Sequence, residues 1–161
     1  MSTPDDMPFA TTIPFATTLR VRDTCLCLHA QRAARALARR SDTAMRPLGL
    51  TNGQFSLLMA LNRPEAAEMS GVATLLAMDR TTLTAALKPL QRQGLVDIRT
   101  AATDKRVRAL ALTAAGTMQL AKALPIWEAT HAMAEARLGP VEAQLLRRGL
   151  ATLSGDWAAG G

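Results

Sequence analysis

The residues best equipped for recognition chemistry fall between positions 79 and 108. Arg80, Thr81, Thr82, Thr84 and Lys88 belong to a segment whose apolar positions Leu83, Leu87 and Leu90 recur at helical spacing. The polar groups avoid that stripe, with Thr82 near its edge. A guanidinium can pair twice with a guanine edge, a threonine can meet a base edge or a thymine methyl, and an ammonium can meet phosphate. Farther on, Asp104, Lys105 and Arg106 occupy a polar connection between two β-like runs. There Arg106 could enter a minor groove while Asp104 steers its guanidinium. Residues 79–108 hold seven Lys/Arg against three Asp, which makes the stretch basic. A capped, solvated helix and an ordinary solvated turn are the bland alternatives.

A second group is Cys25, Cys27 and His29. Within one helix, cysteines two apart project to nearly opposite sides and cannot easily bridge. Cys25 and His29 are four apart and share a face, so they could activate a thiol or supply two metal ligands, which is too few for a metal site. A free cysteine on an apolar helix also packs simply as a small hydrophobe.

Among the elements that must position these groups, the tandem echo Pro8-Phe9-Ala10-Thr11-Thr12 and Pro14-Phe15-Ala16-Thr17-Thr18 reads as a flexible arm over residues 1–19. Near-helical apolar spacing predicts a long first helix over residues 20–45, closed by Pro47. Thr51 and Gln54 have capping-box spacing before Phe55, Leu57, Leu58 and Leu61. Ser70 is expected to cap a third helix, and Asp79 a fourth, which Gly94 stops. Pro89 predicts a kink beyond the DNA-facing half of that fourth helix. Residues 95–100 and 107–113 predict a hairpin. Thr113 then caps a helix that Pro125 should bend, and Pro140 opens the last one. Three short helices followed by a two-stranded ribbon make a winged helix-turn-helix, so the expected class is mainly α with a small β-hairpin wing and long flanking helices.

Composition is consistent with that picture. The chain has 161 residues, 48% hydrophobic, with 19 Lys+Arg against 13 Asp+Glu and a formal net charge of +6. That is one domain's worth of chain, with too much apolar content for disorder. A basic balance suits a polyanionic partner without identifying it. The longest uncharged stretches are too short and too polar to span a bilayer, and the N-terminus lacks the positive start and apolar core of a signal peptide, so a cytoplasmic location is expected. Two histidines, and none of the zinc-protease, phosphate-loop, dinucleotide or nucleophile motifs, argue against an enzyme.

Three runs together resemble the MarR family of bacterial transcriptional regulators: Leu76-Ala77-Met78-Asp79-Arg80-Thr81-Thr82-Leu83-Thr84, then Leu90-Gln91-Arg92-Gln93-Gly94-Leu95-Val96, then Asp104-Lys105-Arg106 through Leu112-Thr113-Ala114-Ala115-Gly116. The resemblance spans about residues 24–153. It implies a homodimer built from the first helix (20–48) and the C-terminal helices (114–161), with winged domains (49–113) reading a pseudo-palindromic operator in double-stranded DNA. It assigns recognition to Arg80, Thr81, Thr82, Thr84 and Lys88, and the wing contact to Arg106. It implies a repressor released by a small aromatic or phenolic effector, with His29, Asn52 and Phe55 as candidate pocket residues, and no cofactor, metal or membrane. Cys27 falls at about the position of the sensing thiol in the peroxide-responsive branch of that family. The tyrosines around that thiol are absent here, with Gln31, Ser41 and Asn52 near their places. Alternatives are therefore a thiol-based redox-sensing repressor using Cys27, or a winged-helix interaction module that does not bind DNA.

Overall fold

The computed structural model describes residues 13–100 and 108–155. They belong to two compact units divided between Ala36 and Leu37, a boundary that falls inside a helix.

In the first unit, α1 (Phe15–Thr24) begins directly after Pro14. The arm expected through residue 19 is thus helical from Phe15 onward, while residues 1–12 lie outside the described residues. Pro14 is the last proline of the echo, and a proline ahead of the first turn withholds no N–H that a helix needs. The single helix expected over residues 20–45 is interrupted as well. Cys25 is extended (φ −73°, ψ 105°) and ends α1, and α2 (Leu26–Met45) starts at the next residue. At the break Cys25 Sγ accepts the Leu28 N–H at 3.4 Å, as an N-cap would, so a new helix starts where the first one ends.

The second unit holds the core. A 3-10 turn (Arg46–Leu48) leads to α3 (Asn52–Ala60), whose capping box forms as expected: Gln54 N–H donates to Thr51 Oγ1 at 3.2 Å, and Thr51 N–H to Gln54 Oε1 at 2.9 Å. A two-residue strand β1 (Ala67–Glu68) passes straight into α4 (Met69–Leu75). Glu68 is therefore the N-cap by position, and Ser70 lies inside the first turn with no cap to make, which corrects the expected role of Ser70. α5 (Arg80–Arg92) has Asp79 as its cap and runs unbroken through Pro89. Gly94 at φ +70° closes it in a Schellman motif, with Leu95 N–H bonded to the Leu90 carbonyl and Gly94 N–H to that of Gln91.

β2 (Val96–Thr100) and β3 (Arg108–Leu112) form the expected hairpin, but β1 adds an outer strand, giving the antiparallel order β1-β3-β2. Val96 faces Leu112, Ile98 faces Leu110 and Ala67 also faces Leu110, so these apolar pairs share one side of the sheet. α6 (Ala114–Glu135) and α7 (Pro140–Ser154) complete the chain, with Thr113 capping α6 and Pro140 in the first turn of α7, both as expected. Leu57, Leu58, Leu83, Leu87, Leu90 and Leu110 are fully buried in one cluster with Met45, Phe55, Val72 and Ala123.

One joint fixes the wing to the rest. The Thr113 hydroxyl donates to the Gly94 carbonyl at 2.6 Å and accepts the Gly116 N–H at 3.0 Å, tying the end of α5 to the start of α6. A Cβ on Gly116 would stand 2.0 Å from the Leu95 carbonyl oxygen, a backbone atom that cannot rotate away. Gly116→Ala is therefore expected to cost about 1–3 kcal/mol, an overpacking penalty read as a lower urea midpoint; an unchanged midpoint would refute this joint.

Candidate nucleic-acid interface

Leu83, Leu87 and Leu90 take the inner side of α5 at 0% exposure, so the rest of the helix must face out. Arg80, Thr81, Thr82, Thr84 and Lys88 are all exposed. Positions 80, 84, 88 and 91 follow one another at helical spacing along one flank, while Thr81 lies nearer the crown opposite the leucines. That flank borders a surface groove of about 340 Å³, lined by Met69, Arg80, Thr84, Lys88, Gln91, Ile98 and Arg108.

The threonines are not equivalent. Asp79 Oδ1 accepts the Thr82 N–H at 2.8 Å and Oδ2 accepts the Thr82 hydroxyl at 2.6 Å, so Thr82 serves the cap. The Thr82 hydroxyl and N–H hold the Asp79 carboxyl below its usual range. Thr84 donates its hydroxyl to the Arg80 carbonyl at 2.7 Å, leaving its lone pairs and methyl for contact. Among the described residues Thr81 makes no side-chain hydrogen bond.

On the wing the register separates the charges. Arg99 lies on the outer face with Asp97 and is ion-paired with it. Asp104, Lys105 and Arg106 lie outside the described residues. Sequence reasoning counted Arg108 only as charge and did not single out Gln91; both line the groove. The period-2 alternation from buried Leu110 was the signal that could have placed Arg108.

In the first unit, Cys25 is half-buried and Cys27 exposed. The His29 ring does not meet the Cys25 thiol: its Nδ1 lies 2.9 Å from the Cys25 carbonyl oxygen. The contact between thiol and imidazole that the four-residue spacing allows is not made, and Sγ instead caps α2. Gln31 Nε2 donates to Cys27 Sγ at 3.2 Å. Among the described residues no three His, Cys, Asp or Glu are grouped to hold a metal ion. No described helix is long and apolar enough to cross a membrane.

In the second unit, Asn52 offers its N–H to Asp42 Oδ1 at 2.6 Å, and Phe55 is a core residue at 5% exposure. Phe55 stacks on Trp127 (centroids 6.1 Å, planes 19° apart), and Trp127 on His131 (4.8 Å, 9°). Phe55, Met59, Leu75, Leu76 and Trp127 line an open apolar depression of about 350 Å³, together with Ser56 and Ala60. Trp127 escaped sequence reasoning because its partner Phe55 is far away in the chain.

The chain matches the MarR family profile over residues 48–107. Comparison with curated proteins yields no match. Among solved structures it resembles the Mycobacterium tuberculosis transcriptional regulator MosR in complex with DNA, at 39% identity over 81% of this chain and 93% of that one, TM-score 0.74. It also resembles the transcriptional repressor CouR bound to a 23-mer DNA duplex, at 25% identity over 90% of this chain and 100% of that one, TM-score 0.75. CouR bound to p-coumaroyl-CoA matches at 25% identity over 85% and 96%, TM-score 0.74.

The Asp79 cap carries a pH signature. Its folded pKa lies below the unfolded one, so its contribution is complete above about pH 4 and is lost as pH falls below that. Asp79→Asn keeps an acceptor without the charge. Thermal midpoints of the two proteins are expected to converge on acidification from about pH 6 to 3; parallel curves would contradict an ionised cap.

Proposed function

The chain belongs to the MarR family of DNA-binding transcriptional regulators, and from that premise we propose that it is a cytoplasmic homodimeric repressor of a pseudo-palindromic operator. Members of the family are regulators and not enzymes. The observation that carries the proposal is the outward display of Arg80, Thr84 and Lys88 along one flank of a helix held in place by three buried leucines. An interaction module without DNA binding would suit a neutral or acidic surface, whereas among the described residues lining this groove none is acidic. Arg106 is assigned the wing contact by position in the family, with Asp104 and Lys105 beside it in the sequence as its candidate companions.

Dimerisation answers a second observation. α7 buries only Ala143, while Val141, Leu145, Leu146 and Leu150 are 44–63% exposed. A helix with that much bare apolar surface suits a second copy of the chain. The releasing effector is an aromatic acid or its thioester, received beside Phe55 and Trp127: the depression is apolar, its walls offer flat rings, and one structural neighbour is bound to p-coumaroyl-CoA. His29 and Asn52 remain effector candidates by family position.

Selection of random duplexes by the purified full chain tests the whole reading. Enriched sites should be inverted repeats with half-sites about 34–36 Å apart. Arg80→Ala should relax sequence choice by about 1–3 kcal/mol, and Arg106→Ala should weaken binding while the dimer stays folded. Recovery of no common sequence would end the proposal.

The exposed thiol of Cys27, within reach of solvent oxidants, favours a second reading in which oxidation releases the operator. Peroxide should then free DNA from the wild type but not from Cys27→Ser; equal release from both would reject Cys27 as the switch.

A further inference from the structure

The sheet sorts Arg99 and Arg108 by face, and only one of the two faces borders α5. Arg99, with Ala109 and Ala111, lies on the outer face, where Asp97 neutralises it. Arg108 stands across from Thr100 and two residues before buried Leu110, so it shares the inner face with Ile98 and Leu110. There it is exposed beyond the edge of the core and forms the sheet-side wall of the groove whose other wall is Arg80, Thr84, Lys88 and Gln91.

We propose that Arg108 is a further DNA-binding residue, gripping a backbone phosphodiester in the groove between α5 and the inner face of the sheet. The inference rests on the DNA-binding reading above and adds to it a phosphate contact made from the sheet, beyond those of the helix and the wing tip. Two observations carry it. Arg80, Lys88 and Arg108 bring three cations into one concavity, and among the described residues none of the three has a carboxylate partner, whereas Arg22, Arg99 and Arg147 each do. Three unpaired cations around one hollow are complementary to an anion held there. The second is position. A side chain flanking a helix seated in the major groove meets the phosphate wall of that groove, while the helix itself meets the base edges on its floor. A guanidinium offers that phosphate two parallel donors.

The test titrates full-length wild type, Arg108→Gln, Arg108→Lys and Arg99→Gln across a salt series. The probes are one duplex recovered by the selection above and a scrambled duplex of the same composition. Arg108→Gln is expected to weaken both duplexes by the same factor and to flatten the slope of log affinity against log salt by about 0.9 for each phosphate that is no longer neutralised. Arg108→Lys should restore the slope, and Arg99→Gln should leave it unaltered. Thermal midpoints are read alongside, and Arg108→Met, which keeps the apolar stem, replaces the glutamine variant if that fails to fold. An unchanged slope in the uncharged variant would overturn the proposal. So would weakening confined to the selected duplex at constant slope, the mark of a base contact. Should wild type bind neither duplex, the DNA-binding reading itself falls; should Arg80→Ala lose sequence choice while Arg108→Gln behaves as wild type, only the Arg108 assignment falls.

Discussion

Burial of Leu83, Leu87 and Leu90 sets the rotation of α5 about its own axis, and the arrangement of every other group on that helix follows from it. A turn of α-helix admits no independent choice for the neighbours of a buried stripe, so placing three leucines in the core delivers a threonine crown and a flank of Arg80, Thr84 and Lys88 to solvent. Each leucine is worth about 2–5 kcal/mol against truncation to alanine, several times what a solvated arginine or threonine can oppose. The exposed face of α5 is therefore free to vary in sequence while the helix beneath it stays where the core put it.

The ends of the helix are secured separately. Asp79 holds the first turn, and the Thr113 hydroxyl ties the carbonyl of Gly94 to the start of α6. The caps are local in sequence, and that is why they could be read from the chain: a threonine or aspartate three residues before a free N–H is a pattern with one physical meaning, whereas the bond from Thr113 to Gly94 spans 19 residues and has no such pattern. The capping box at Thr51 and Gln54, the Asp79 and Thr113 caps, the stop at Gly94 and the apolar stripe of α5 were all legible for that reason.

What escaped reading depends on partners distant in the chain or on weak local bonds. β1 has two residues, too few for any period-2 signal, and exists because Ala67 finds Leu110 across the sheet. Ser70 looked like a cap because nothing nearby announces that a strand runs directly into α4. The break at Cys25 is accompanied by a thiol standing in as N-cap, a weak acceptor that residue spacing does not mark. The faces taken by Arg99 and Arg108 were implicit in the alternation around Leu110, and became definite only when the register paired them to opposite sides.

The turn between α4 and α5 closes with the same pair of bonds that closes α5: Met78 N–H to the Ala73 carbonyl at 2.9 Å and Ala77 N–H to that of Thr74 at 3.1 Å. Where α5 uses glycine at the left-handed position, this turn uses Ala77 at φ +50°. An alanine there restrains the unfolded chain by about 0.4–1 kcal/mol relative to glycine, but at positive φ its Cβ strains the folded chain by more than that. The angle between α4 and α5 thus hangs on a strained hinge, kept in its left-handed shape because Val72 on one side and Leu83 on the other are locked into the core.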